Sequence, residues 1–306
     1  MVDIIRGIIS ILIILLFSPM LIGLINKQKA IFTGRIGAPV LQPYYELYKL
    51  LRKETINSDT SSLISVLAPV INISTVIVAA LMVPIGFFKP IISFEGDIIL
   101  FAYILGLSRF FQILAAMDIG SSFEGMGAAR EATFAVFVEP IFFFTIGSIA
   151  YITGFSSIYK IFYSIQPDNL IYIIFIVVCS ISLFILMVTE CSRMPVDDPN
   201  THLELTMIHE VMILDNSGLD LFLYQYSSYI KLFIYVVLES SFLYPIGAQR
   251  FGLGLAIFVI AVLLFSTILA VVETVTSRYK MKYIPQYLLF GTAIGVLNIL
   301  IYTFTG

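Results

Sequence analysis

Leu170–Thr189 reads LIYIIFIVVCSISLFILMVT, and Glu190–Glu210 continues it as ECSRMPVDDPNTHLELTMIHE. The first stretch carries no formal charge over about 20 residues, the length a helix needs to cross the hydrocarbon core of a bilayer. The second crowds acids, amides, histidines and an arginine between that run and another apolar run that begins near Tyr229. Charged groups at membrane depth are costly and persist where they pair, line water or conduct ions. The pair of stretches therefore predicts a polytopic membrane protein with its chemistry concentrated around the 190–210 loop.

Working outward, the same criterion marks Ile4–Ile25, Leu63–Phe88, Ile98–Met117, Ala132–Ile152, Tyr229–Gly247, Phe251–Val272 and Ile284–Phe304 as further spans. Composition agrees: 59% of the 306 residues are hydrophobic and 12% are charged, whereas soluble domains run at roughly 45–50% and 25%. The expected fold is an all-α polytopic membrane protein with about eight transmembrane helices and added cytoplasmic amphipathic helices. It forms one domain over 1–306, with cytoplasmic loops near 26–62, 118–131, 190–228 and 273–283. The first run is longer than a typical signal-peptide core and only Arg6 precedes it as a basic residue, so it reads as a retained span.

Lysine and arginine set the expected orientation. With the N-terminus outside, twelve of the seventeen basic residues lie in cytoplasmic connections, Lys27, Lys29, Arg35, Lys49, Arg52, Lys53, Arg130 and Arg193 among them. Both termini are then outside a plasma (inner) membrane, and the 190–210 loop faces the cytoplasm. Between the first two spans, Arg35 sits in a Gly- and Pro-rich turn. After it Leu47, Leu50, Leu51 and the neighbouring tyrosines recur at helical spacing, as in an amphipathic helix lying on the membrane surface.

Inside the 190–210 loop, Asp198 before Pro199 is a good N-cap pair and Gly218 a good stop, which predicts a helix over Pro199–Asp215. It would carry an apolar stripe of Leu203, Met207, Val211 and Leu214 opposite a polar one of His202, Thr206 and His209. Arg193 and Asp197 are expected to order the loop through a charge-assisted pair, and with Asp198, His202, His209 and Arg35 of the earlier turn to form a docking element. His202 and His209 are about 10 Å apart along a helix, too far to share one ion, so no metal site is expected. Cys179 and Cys191 cannot assemble a cluster and read as free thiols. No basic, aromatic-interleaved patch suggests nucleic acid.

Arg109, Glu139 and Glu239 fall within spans, and Glu131 and Glu190 at span edges. With Glu204 and Glu210 of the loop, they make a candidate ion path. From Glu131 to Glu139 the helical rise is about 12 Å, which would carry a proton two steps into the membrane. The alternative is a static buried pair of Arg109 with Glu139 or Glu239 that fixes packing without transport.

Arg193-x-Pro195-x-Asp197, with Gly34-Arg-x-Gly-x-Pro39 and Leu41-Gln-Pro43, resembles the family of respiratory complex I membrane proteins known in mitochondria as subunit 1. Pro195–Glu210 and Gly125-Met-Gly-Ala-Ala-Arg-Glu131 more closely resemble the membrane subunits of group 4 energy-converting nickel–iron hydrogenases, the formate hydrogenlyase type. The resemblance runs over nearly the whole chain. It implies a membrane anchor that binds a soluble electron-transfer module and links its redox reaction to proton or sodium movement. By position, Glu131 resembles the family carboxylate at the start of the fourth span, and Glu190, Arg193, Asp197 and Glu204 the polar loop beneath a terminal iron–sulfur cluster. Implied partners are soluble hydrogenase-like iron–sulfur and large subunits, antiporter-like membrane subunits and the lipid bilayer. The clusters and the nickel–iron centre would reside in those partners, with no cofactor in this chain. Asn200 and His202 stand where the complex I version has acids, which weakens a quinone site, the alternative function. A stand-alone transporter is the alternative of another class, and no inverted repeat supports it.

Overall fold

The computed structural model describes residues 2–56, 58, 60–86, 88–165, 170–198, 207–243 and 251–305. All regular structure there is helical: α1 (Val2–Phe32), α2 (Gln42–Leu51), α3 (Leu63–Met82), α4 (Asp97–Asp118), α5 (Ser122–Thr153), α6 (Ile158–Ser164), α7 (Leu170–Glu190), α8 (Gly218–Leu243), α9 (Phe251–Val275) and α10 (Ile284–Thr305). Eight of these, all but α2 and α6, are long and apolar enough to span a membrane. In hydrocarbon a helix satisfies its own backbone polar groups, the physical reason such apolar runs are helical. Pro19, Pro69 and Pro140 lie inside α1, α3 and α5.

Several helices outrun the apolar pattern. The fourth span starts at Ser122, so most of the expected 118–131 loop is helix and only Ile119–Ser121 links α4 to α5. The reason is tertiary: Gly127 lets the chain after Met207 lie directly on α5, where an added Cβ would meet Val211 Cγ1 at 2.3 Å and Met212 Cγ at 2.9 Å. Helix α8 begins at Gly218, well before the expected Tyr229, because Tyr224 and Ser227 bury on their inner side although Asp220 and Gln225 dilute the apolar signal. The expected 190–228 loop ends correspondingly early. At 31 residues, α1 is about 46 Å long and exceeds the roughly 30 Å apolar core.

The amphipathic helix is present as α2, with Pro43, Leu47 and Leu50 buried. Leu51 belongs to the opposite, exposed face with Tyr45 and Tyr48. Helix α2 packs close to α1: the Tyr44 hydroxyl donates to the Leu16 carbonyl, and a Cβ at Gly23 would fall 1.8 Å from the Val40 carbonyl oxygen.

The expected Pro199–Asp215 helix is corrected where it can be seen. Residues 199–206, including His202, Glu204 and Thr206, lie outside the described residues; between Met207 and the start of α8 the only helix is a 3₁₀ turn, Glu210–Ile213. Side chains hold this backbone instead of an i to i−4 ladder. Asp197 Oδ2 accepts the N–H groups of Ile208 (3.1 Å) and His209 (3.0 Å), and Arg130 Nη1 donates to the Met207 carbonyl at 2.7 Å. The buried set is Met207, Ile208, Val211, Met212 and Ile213, while Leu214 is exposed.

At the opposite end of the bundle α6 folds inward on Ile158, Ile161 and Phe162. Buried Asp97 clasps it: Oδ1 accepts Ile158 N–H at 2.7 Å and Oδ2 accepts the Ser157 hydroxyl at 2.9 Å. Helix α10 is fixed to α5 and α7 by a buried polar seam. Asn298 Nδ2 donates to Cys179 Sγ (2.6 Å), and Ser182, whose hydroxyl lies 3.3 Å from the Gly291 carbonyl it donates to, is bonded in turn to the Thr145 hydroxyl of α5 at 2.5 Å. Gly291 and Gly295 permit the close approach, as small residues do between membrane helices.

Candidate functional site

Four helices converge on a buried quartet of charges. Arg109 of α4 pairs with Glu131 of α5 (Nε to Oε1, 3.1 Å) and with Glu190 at the end of α7; Lys231 of α8 holds the second Glu190 oxygen at 2.6 Å. Two cations and two carboxylates balance one another, which offsets the cost of burying them. The static pair of Arg109 with Glu139 or Glu239 does not form. Facing directions decide this: Arg109 and Glu131 meet across the α4–α5 interface on the loop side, whereas Glu239 receives the Ser180 hydroxyl at 2.8 Å and, among the described residues, keeps Oε1 without a donor.

Two cavities are walled by members of this quartet, and a third adjoins one of them. A small one of about 30 Å³ is lined by Arg109, Glu131, Glu190, Lys231, Gln112 and His209. Its volume holds about two waters. On the loop side, a cavity of about 250 Å³ is lined by Glu46, Arg193, Asp197, His209, Glu210 and Tyr229, and shares Cys191, Ser192, His209 and Ser228 with the small one. Deeper along α4 and α5 from the loop, about 80 Å³ lies among Tyr103, Arg109, Val138, Glu139, Glu190 and Tyr235, and it reaches the outer face of the two helices, where Tyr103 and Glu139 are exposed. Arg109 and Glu190 thus stand between the small cavity and the deep one.

The loop after α7 supplies the mouth. The side-chain pair expected of Arg193 and Asp197 does not form; Arg193 Nη1 lies 3.3 Å from Glu273 at the end of α9, and Arg278 Nη2 lies 2.7 Å from Asp197 Oδ1. Asp197 has its second oxygen engaged with the 208–209 backbone, so geometry leaves Arg193 the neighbouring carboxylate. Lys29 of α1 joins Glu273 at 2.7 Å, which ties α1, α9 and the loop together. Asp198 donates its N–H to Asp197 Oδ1 at 2.9 Å.

His209 is the hinge between the two upper cavities, with Nδ1 3.4 Å from Gln112 Nε2. Burial, aided by the Lys231 charge, pushes His209 down to about 4, so the ring is neutral near pH 7 and can accept the amide N–H. Burial, with Asp197 adding repulsion, pushes Glu210 up to about 7. That places a carboxyl able to exchange a proton near neutrality on the wall of the large cavity. Cys191 is pushed up to about 12 by burial and stays a thiol.

Among the sequence-predicted residues, Arg109, Glu131 and Glu190 meet directly, Glu139 joins them through the deep cavity, and His209, Glu210, Arg193 and Asp197 border the mouth. Arg35 is exposed on the turn after α1 and lines none of the three cavities. Among the described residues, no group of three or more His, Cys, Asp or Glu converges to hold a metal ion. Lys231, Gln112 and Glu46 belong to the site although sequence reasoning does not single them out, and Glu273, which the sequence marks only as an acid at the end of the seventh span, joins it through Arg193 and Lys29. A lysine just inside the sixth apolar run is the one available signal; the others need the fold.

Residues 5–303 match the profile of the family described as NADH dehydrogenase. The chain belongs to that family. Within it, this NADH dehydrogenase family member is 26% identical to Hydrogenase-4 component C of Escherichia coli over 93% of the chain and 91% of that protein. It is 29% identical to Formate hydrogenlyase subunit 4 of Escherichia coli over 49% of each. In fold it superposes with a chain of the membrane-bound sulfane sulfur reductase, an archaeal respiratory membrane complex, at a TM-score of 0.81 and 21% identity, covering 98% of this chain and 99% of that one.

Proposed function

We propose that the chain is the non-catalytic membrane subunit of a multisubunit oxidoreductase, of the group 4 nickel–iron hydrogenase or formate hydrogenlyase kind, and that it links electron transfer in a soluble arm to movement of protons or sodium. The observation that carries this reading is the series of cavities around Arg109, Glu131, Glu190 and Lys231, reaching from the loop mouth to Glu139. A balanced quartet is poised to pass charge: protonating Glu131 or Glu190 would free Arg109 or Lys231 to seek another partner. The soluble arm would dock on the loop after α7, with its iron–sulfur clusters and nickel–iron centre above Asp197 and His209. Antiporter-like membrane subunits would complete the path, in a plasma membrane with both termini outside. The mouth cavity supports water and ions over a quinone, being polar-walled and just below the roughly 300–1,000 Å³ of ordinary ligand pockets.

The test is redox-driven ion uptake by membrane vesicles, measured beside the amount of assembled complex, for Glu131→Gln, Glu139→Gln and Glu239→Gln. The amide keeps shape while fixing neutrality. Glu131→Gln and Glu139→Gln are expected to lose uptake with the complex assembled. Normal uptake in all three variants would leave only an anchor.

A further inference from the structure

Glu124, in the first turn of α5, has no part in the quartet or in the loop network. It is fully buried; Oε1 accepts the Asp215 N–H at 2.9 Å, and Oε2 has neither a donor nor a cation among the described residues. A cap to the Asp215 N–H would explain the first oxygen. It does not explain why a carboxyl rather than an amide is carried inward with its second oxygen bare, since an unpaired buried polar atom is costly.

Tyr224 links Glu124 on one side to Asp220 and on the other to the cavity of the quartet. Asp215 is exposed and Asp220, in the first turn of α8, is half-buried. Tyr224, one turn further along α8 and 3% exposed, is within electrostatic reach of both Glu124 and Asp220. Tyr224 in turn lines the small cavity with Arg109, Glu131 and Lys231. Arg130, further along α5, is committed to the Met207 carbonyl rather than to Glu124. Burial thus increases stepwise from Asp215 through Asp220 to Glu124 and Tyr224, and every member can hold or relay a proton.

We propose that Asp220, Glu124 and Tyr224 form a proton entrance to the Arg109 quartet, separate from the mouth at the 190–210 loop; this rests on the coupling role given above. One proton from bulk water passes to Glu124 Oε2. Tyr224 accepts it on its phenolic oxygen while giving its own proton to water in the small cavity, which delivers it to Glu131 or Glu190. No electron moves and no bond other than O–H is made or broken. With two entrances, the redox arm can change the loop while protons enter behind it.

The experiment uses the intact complex in native membrane vesicles, with redox-driven proton uptake followed by a pH-sensitive dye and sodium uptake by a radioactive tracer. Glu124→Gln retains a carbonyl oxygen for the Asp215 N–H, and Tyr224→Phe removes only the hydroxyl, so both should assemble. Each is expected to slow proton uptake at least about tenfold, a threshold set an order of magnitude below the roughly hundredfold or more usual for a lost acid–base group, while the soluble arm keeps its turnover with an artificial electron acceptor. A structural role predicts the reverse pattern, with Glu124→Gln silent and Glu124→Ala losing the complex. If Glu124→Gln fails to assemble, Tyr224→Phe decides the matter alone. Glu131→Gln is the control: loss there with normal uptake in Glu124→Gln and Tyr224→Phe overturns the entrance and spares the coupling role, whereas normal uptake in all three removes both. Sodium uptake without proton movement also overturns the entrance.

Discussion

Replacing Glu210 by Gln should stabilise the protein at alkaline pH and leave it unchanged in acid. The carboxyl borders the mouth cavity, and burial with the nearby Asp197 raises it from its usual 4.5 to about 7, with Arg193 only partly offsetting this. A raised carboxyl contributes its full stability below the unfolded value and loses it as pH rises through the folded one. At about 1.4 kcal/mol per pKa unit, the gap between 4.5 and about 7 makes ionised Glu210 cost about 3 kcal/mol. Gln is neutral throughout, so the variant should gain about 3 kcal/mol over the parent above about pH 8, and near zero at about pH 4.5. The acid limb belongs to His209, whose value falls from 6.5 to about 4: stability drops as pH falls from about 6.5 toward 4, equally in parent and variant. Thermal melting of the detergent-solubilised complex, read by a thiol-reactive dye that reaches buried Cys179 only on unfolding, gives the difference at each pH. An offset that is constant from about pH 5 to 8.5, or a variant less stable than the parent at the alkaline end, would refute the assignment.

Gly127→Ala should lift the 208–212 segment from α5, since its Cβ would lie 2.3 Å from Val211 Cγ1; the expected cost is about 1–3 kcal/mol, seen as less assembled complex at raised temperature, and a neutral outcome would mean that the segment does not rest there. Arg109→Lys keeps the charge but has no planar fork to reach both Glu131 and Glu190, so uptake should fall with assembly retained. Arg109→Met strands the carboxylates and should cost about 3–5 kcal/mol, losing the subunit; full assembly of the Met variant would show the quartet to be dispensable for folding. Cysteine labels at Thr33, Asn216 and Ser277 should react from the cytoplasm and one at Gly96 from outside, as the basic-residue asymmetry requires. External labelling of Asn216 would invert the assignment and move the loop away from any soluble arm.

Composition and apolar run length suffice for an eight-span helical membrane protein, because hydrocarbon leaves the backbone almost no alternative to a helix. The same logic marks Arg109, Glu131, Glu190 and Glu139, since an ionisable side chain in an apolar run is conspicuous in one dimension. Run length fails at helix ends. The polar first turns of α5 and α8 are helical through packing against the 207–213 segment and their neighbours, and that segment is not an α-helix because Asp197 and Arg130 take up its backbone groups.

Pairing is beyond the sequence altogether. Which carboxylate meets Arg109 depends on how α4, α5, α7 and α8 are rotated about their axes, so Glu131 and Glu190 win over Glu139 and Glu239, and Lys231 completes the quartet. Arg193 turns to Glu273 and Asp197 to Arg278 for the same reason: charges 80 residues apart, as Arg193 and Glu273 are, become neighbours only when helix ends converge. Glu124 reads in the chain as an ordinary acid near a helix start. Only the packing of α5 against the 207–213 segment and the turn at Asp215 buries it, and burial is what turns a common surface carboxyl into a group with chemistry to perform.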